Sequence, residues 1–208
     1  MINQREMMAV LERHRNNAVV VPTMMGSVPW LESSGLAVRD VPLGGAMGKA
    51  SSFGLGVALA QPNTPVYVLD GDGSLEMNLG TLITIGDKGP ENLYHFMLDN
   101  GVYAYTGGQP IPGSGRVSFA KLAKAAGYTA AFEFEDLEEF TIQIESVLNT
   151  KGPVFITIKI VPEILNEPPG RRVATGPSRP TRMAMQELKG SFRMGQDRAG
   201  EGQTGQPK

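Results

Sequence analysis

This sequence predicts an α/β fold: a doubly wound, mostly parallel sheet with helices on both faces. Three observations lead there. Short uncharged runs rich in β-branched residues alternate along the chain with stretches of helical spacing, the pattern of successive βαβ units. Glycine is abundant, 26 of 208 residues, yet shows no Gly-X-Y period, so it serves tight turns rather than a collagen helix. Hydrophobic residues make up 41% and charged residues 19% of a 22.3 kDa chain, enough to pack the core of one ordinary domain.

The elements follow in order. Met7, Met8 and Leu11 stand at helical spacing within residues 4–15. Ala18-Val19-Val20-Val21 reads as a strand buried on both faces. Ala46 to Ala60 is rich in small residues and suits a helix packed close to a sheet. Val66 to Leu69 is a second buried strand, Leu75 to Ile85 a helix, and Leu93 to Leu98 a third strand. Phe119 to Ala126 is helical and Tyr128 to Phe134 a fourth strand. Asp136 caps a helix running to about Leu148, and Val154 to Ile158 closes the series. Right-handed crossovers then follow, with ligands expected beyond the carboxyl ends of the strands.

Composition narrows the function. The chain has no cysteine, which excludes disulfide scaffolds, thiolate-held iron–sulfur clusters and thiol nucleophiles, and fits a reducing cytoplasm. A net charge of −2 argues against binding nucleic acid by bulk charge. The polar start, Met1 to Glu6, lacks a signal-peptide core, and the uncharged run from Ala50 to Leu69 is broken by Gln61-Pro62-Asn63-Thr64-Pro65. No membrane span is expected. Residues 1–162 hold 11 basic and 16 acidic residues, whereas residues 163–208 hold 8 and 5 and are rich in Pro and Gly. The first stretch reads as the domain and the second as a basic arm, partly disordered or docking on a partner subunit. Met185, Leu188 and Phe192 give the arm one short amphipathic helix.

One strand end differs from the others. After Val66 to Leu69 come Asp70-Gly71-Asp72-Gly73-Ser74, then a helix. Glycines flanking an acid allow a tight turn that aims backbone amides above the sheet, and a helix N-terminus favours a phosphate. A carboxylate facing a phosphate would repel it, and a hard divalent cation between them resolves the conflict. The next strand ends in Asp99-Asn100-Gly101 and supplies further oxygen ligands. Ordinary Asp/Asn/Gly turns remain the plainer alternative for either segment alone. A dinucleotide fingerprint is rejected, since Gly54-Leu55-Gly56 lies inside a helix and Leu59 stands where a third glycine is required. The two histidines, His14 and His95, are too few for a metal cage, and His95 reads as a core residue. Arg116 and Lys121 read as solvated.

Gly71-Asp72-Gly73 followed 27 residues later by Asn100 resembles the cofactor motif of the thiamine diphosphate-dependent 2-oxoacid decarboxylases and synthases. The resemblance covers roughly residues 15–160, their diphosphate-binding domain. Residues Gly71 to Gly80, with Asp99 to Tyr103 and Thr106 to Pro110, look most like the β subunits of sulfopyruvate decarboxylase and the related phosphonopyruvate decarboxylases. Asp99 departs from the family pattern, which has asparagine there.

The resemblance implies thiamine diphosphate and Mg²⁺ as cofactors. It implies Asp72, Asn100 and the Val102 carbonyl as metal ligands. It implies Gly71, Gly73, Ser74 and Tyr103 around the cofactor, with Gly26-Ser27 as a second diphosphate contact. Gly45-Ala46-Met47-Gly48 matches the wedge that bends the cofactor, with Met47 as the apolar prop. The activating glutamate of relatives belongs to a separate pyrimidine-binding domain. Glu12 and Glu32 are poor substitutes for it.

The expectation is therefore a β subunit that needs a pyrimidine-domain α subunit, in a hetero-oligomer with at least two copies of each chain. It would decarboxylate an anionic 2-oxoacid, such as 3-sulfopyruvate or phosphonopyruvate, to an aldehyde. An acetolactate synthase-like carboligase component and a non-catalytic scaffold are the alternatives.

Overall fold

The structure, a computed structural model, describes residues 1–45, 47–165, 167, 171 and 178–201, with side chains as far as residue 193 in the last helix. Five strands form one wholly parallel sheet: β1 (Val19–Pro22), β2 (Val66–Gly71), β3 (Leu93–Asp99), β6 (Ala130–Phe134) and β7 (Val154–Lys159), in the order β1-β2-β3-β7-β6. The two-residue strands β4 (Val102–Tyr103) and β5 (Gln109–Pro110) form a separate antiparallel hairpin.

The order of the strands explains where the helices lie. From β1 through β2 and β3 to β6 the chain steps in one direction, so right-handed crossovers put their helices on one face. These are α3 (Ala50–Ala60), α5 (Thr81–Lys88) and α6 (Phe119–Ala125), whose Ala50, Leu55, Ala58, Leu82, Ile85 and Ala123 pack on Val66, Val68 and Leu93. The return step from β6 to β7 puts α7 (Leu137–Leu148) on the other face, beside α1 (Gln4–Arg13) and α2 (Ser27–Ser33). Phe140, Ile144, Met7, Met8, Leu11 and Trp30 meet Tyr67, Leu69, Phe96 and Ile156 there. Each fully buried side chain of this size contributes about 1.5–3 kcal/mol.

Local chemistry sets several boundaries. Asn3 accepts from the amides of Arg5 and Glu6 at the start of α1, and Asp136 accepts from Glu139 at 3.0 Å at the start of α7. Helix α3 begins at Ala50 rather than Ala46, because Gly45 and Gly48 take left-handed φ values of 65° and 70° and keep the stretch before it a loop. Ala46 lies outside the described residues. The stretch expected as one helix from Leu75 to Ile85 is two, α4 (Asp72–Glu76) and α5, divided where Asn78 turns its side chain to the Gly48 carbonyl. Strand β6 starts at Ala130, later than expected, since Tyr128 is drawn under the sheet to the ring of His95.

The arm carries the long helix α8 (Thr181–Glu201). One face of this helix packs on its own chain. Ala184 and Leu188 are buried in the core of this chain and Phe192 packs on it, while Met185 faces outward, 46% exposed. Other parts of the arm, residues 166, 168–170, 172–177 and 202–208, lie outside the described residues. No described helix is long and apolar enough to cross a membrane.

Candidate functional site

A cleft opens at the carboxyl ends of β1, β2, β3 and β7, where a parallel sheet of this kind offers its ligand site. Its floor is the turn that joins β2 to α4 with no intervening residue. Asp72, 4% exposed, opens α4, and its carboxylate is fixed by backbone amides from two strand ends. Oδ1 accepts from Gly73 N at 2.8 Å, and Oδ2 accepts from Asn100 N at 3.0 Å and Gly101 N at 2.7 Å. Burial pushes its pKa up to about 7, with the charge of nearby Asp99 adding to the rise and the amides opposing it. Asp99 is itself raised, chiefly by burial. The Lys159 charge opposes the rise at Asp99.

Asn100 lines the cleft, and its Oδ1 accepts from Val102 N at 2.9 Å. Gly101 O accepts from Ile111 N, so Val102 occupies a non-hydrogen-bonded position of the hairpin, and its carbonyl points away from β5. A carboxylate, an amide oxygen and a free-edged carbonyl thus come from one loop and the turn beside it. These are hard oxygen donors suited to Mg²⁺. The described residues hold no group of three or more His, Asp or Glu that would bind a metal unaided. Further oxygens from a ligand such as a diphosphate would complete the shell.

Backbone packing accounts for the glycines. A Cβ on Gly73 would stand 2.7 Å from the Tyr103 ring, and one on Gly26 would stand 3.2 Å from Leu98 Cδ1. Either side chain would push into the groups that shape the cleft. Ser74 Oγ accepts from Gly48 N at 3.0 Å, and Asn78 Nδ2 donates to Gly48 O at 3.0 Å. Helix α4 thereby grips the loop that carries Met47, which is half-buried and lines the cleft.

Of the residues expected around the site, Gly26, Met47, Gly71, Asp72, Gly73, Ser74, Asn100 and Tyr103 line one cleft. Ser27, Gly45 and Val102 stand beside it without lining it; Ser27 Oγ is buried with no hydrogen-bond partner. Thr23, Met24, Met25, Leu98, Ala104, Tyr105, Thr106 and Ile160 complete the lining and were not foreseen as site residues. Thr23 to Met25 directly follow the first strand, so the carboxyl-end rule pointed to them. Met24 is also one of two non-glycine residues with positive φ, at 47°. Nothing in the sequence marks Ile160. The cavity is about 90 Å³, against roughly 300–1,000 Å³ for a complete small-molecule pocket.

The remaining candidates sit elsewhere. His95 is fully buried, with Nδ1 3.1 Å from the Tyr128 hydroxyl and Nε2 3.8 Å from Asp70 Oδ2. His14 Nδ1 lies 3.0 Å from Val10 O. Glu12 accepts from Gly35 N, and Glu32 pairs with Arg5. Arg116 and Lys121 are exposed and outside the cleft lining.

Comparison with known proteins meets this geometry. Residues 30–158 match the family described as "Thiamine pyrophosphate enzyme, C-terminal TPP binding domain". Phosphonopyruvate decarboxylase of Streptomyces viridochromogenes is 44% identical over 122 residues, 59% of this chain and 30% of that protein. Sulfopyruvate decarboxylase subunit beta of Methanocaldococcus jannaschii is 40% identical over 124 residues, 60% of this chain and 65% of that protein. The matched stretch therefore spans less than a third of the first relative and just under two thirds of the second. Among solved structures, a thiamine diphosphate-dependent 4-hydroxybenzoylformate decarboxylase of Rhodococcus jostii superposes with a TM-score of 0.66 at 21% identity, covering 77% of this chain and 33% of that one. At that identity it speaks for the fold.

Proposed function

The chain belongs to the thiamine pyrophosphate enzymes as their C-terminal, TPP-binding domain, and from that premise we propose that it is the diphosphate- and Mg²⁺-binding β subunit of a decarboxylase of anionic 2-oxoacids. The observation that carries the reading is the Asp72 carboxylate, buried in the cleft and held by amides from the ends of β2 and β3 beside Asn100. The donor set fits the metal, and the glycine-lined turn fits a diphosphate.

Asp72, the Asn100 side chain and the Val102 carbonyl would hold Mg²⁺. The turn at Gly71, Gly73 and Ser74 would bind the diphosphate, with Gly26-Ser27 across the cleft and Gly45 and Tyr103 flanking it. When bound, thiamine diphosphate supplies a nucleophilic carbon and an electron sink for the electrons released with carbon dioxide.

This chain's residues contribute position and charge. The fixed carboxylate offsets the metal's charge without moving. Met47 would present an apolar surface to orient the cofactor, and orientation of this kind is worth several kcal/mol of barrier. The chain would supply half of a site, completed by an α subunit with a pyrimidine-binding domain in an assembly of at least two copies of each chain; the small cavity supports that reading. Substrates of the class of 3-sulfopyruvate and phosphonopyruvate, giving an aldehyde and CO₂, follow from the named relatives.

The test is release of CO₂ from 3-sulfopyruvate and from phosphonopyruvate by the chain reconstituted with such a subunit, thiamine diphosphate and Mg²⁺. Turnover of at least one is expected. Cofactor binding with no turnover of either would overturn the substrate class.

A further inference from the structure

We infer that the C-terminal helix α8 is a positioning element for the Met47 loop: it clamps residues 37–43, the segment that leads into that loop, and so fixes one wall of the cleft without touching a ligand. The inference rests on the reading of Met47 as the cofactor prop, and α8 lies beyond the stretch shared with the family, residues 30–158.

The clamped segment has little structure of its own. It consists of one 3₁₀ turn at Ala37–Arg39 and two isolated bridges to the β1 edge, Val20 with Asp40 and Thr23 with Leu43. What holds its outer side is α8 and the residues just before it. Arg179 donates to the carbonyls of Ala37 and Asp40, the latter at 2.6 Å, and Glu187 on α8 pairs with the same guanidinium. Thr181 Oγ1 donates to Pro42 O at 2.5 Å. The Arg39 guanidinium lies over the Phe192 ring, 5.0 Å from its centroid. Beneath these polar contacts Ala184 and Leu188 are buried in the same cluster as Val41 and Leu43. Three backbone carbonyls of the segment, those of Ala37, Asp40 and Pro42, and two of its apolar side chains are thus covered from α8 and the residue Arg179 that precedes it.

The far end of the loop is fixed too, through Gly48 to Ser74 and Asn78. Met47 is therefore held on a short span between two anchors: Gly48 on Ser74 of α4 and Asn78 just after it, and Leu43 on Pro22 O and Thr23 Oγ1 at the end of β1, backed from outside by Ala184 and Leu188 of α8. Gly45 and Gly48, at φ 65° and 70°, allow the chain to turn twice within that span. With the α8 anchor released, the carbonyls of Ala37, Asp40 and Pro42 turn to water, and Val41 and Leu43 lose their cover. Leu43 then keeps only its bonds to Pro22 and Thr23, so the span gains freedom at that end, and Met47 with it.

Hydrogen exchange on the full chain tests the clamp directly. Two variants release α8 by different routes: Arg179→Ala with Thr181→Val removes the carbonyl contacts, and Leu188→Asp places a charge in the buried seat. In both, amides of Gly44, Gly45, Met47 and Gly48 should exchange at least tenfold faster, while those of β3 keep their protection. Arg179→Lys with Thr181 intact should restore most of the wild-type pattern. Unchanged exchange at these loop amides in both variants overturns the inference. Loss of β3 protection overturns it equally, because α8 would then hold the whole domain rather than this segment. A second readout separates the clamp from the role of Met47. In the complex with its partner subunit, the released variants should keep cofactor affinity within threefold but slow exchange of the thiazolium C2 proton at least tenfold. A freed loop with wild-type C2 exchange would sustain the clamp and reject Met47 as the prop.

Discussion

At the scale of single residues, Asp72 bears the most weight. Asp72→Asn keeps the side chain's shape but removes the charge that would meet the metal. Thiamine diphosphate affinity measured by calorimetry with Mg²⁺ should fall at least a hundredfold while the far-ultraviolet dichroism stays unchanged. The same carboxylate makes stability depend on pH when no metal is present. Its pKa is raised to about 7 in the fold, chiefly by burial, against ~3.9 in an unfolded chain. The folded state therefore binds a proton on the Asp72–Asp99 pair more tightly, and stability rises as pH falls from 7 toward 4. Above pH 7 the gain is absent. Urea unfolding at pH 5 and pH 8 without metal should show this slope, and Asp72→Asn should reduce it, the part due to Asp99 remaining. Met47→Ala makes the complementary prediction: cofactor affinity nearly unchanged, exchange of the thiazolium C2 proton slowed tenfold or more. Much of this site was legible because Gly71-Asp72-Gly73 and Asp99-Asn100-Gly101 combine turn chemistry with oxygen ligands at strand ends. That the amides of Asn100 and Gly101 close on Asp72 was not, since it depends on β2 and β3 being neighbours. Thr23 and Ile160 enter the cleft for the same topological reason and carry no chemical signature.

At the scale of elements, α3 shows how closely helix and sheet approach. A Cβ at Gly54 would stand 2.3 Å from Val68 Cγ2, whereas one at Gly56 would meet nothing within 4 Å. Gly54→Ala should destabilise the protein by about 1–3 kcal/mol through overpacking. Gly56→Ala should be neutral or stabilise it by up to about 1 kcal/mol, the usual helix preference for Ala over Gly. Chemical denaturation of the pair distinguishes a packing glycine from an idle one two residues away. Buried strands such as Val19–Val21 and Val66–Leu69 announce themselves by composition. The division of α4 from α5 does not, because it follows from Asn78 reaching a loop thirty residues earlier in the chain. The seat of α8 was half legible: the spacing of Leu188 and Phe192 gave the helix, but nothing local says that its partner is residues 37–43 of the same chain.

At the scale of the whole molecule, the chain turns back at β6 and the return step inserts β7 beside β3, so the carboxyl ends of β1, β2, β3 and β7 meet around the cleft. The buried Asp72 carboxylate, Asn100 and the glycine-lined turn fixed there suit a metal and a diphosphate. The central claim is that this chain supplies half of a shared site. Reconstitution measures it most directly: CO₂ release from 3-sulfopyruvate and phosphonopyruvate, with saturating thiamine diphosphate and Mg²⁺, for the chain alone and after adding a pyrimidine-domain subunit. The account predicts no turnover above background alone and at least a thousandfold increase on adding the partner. Robust turnover by the chain alone would contradict it.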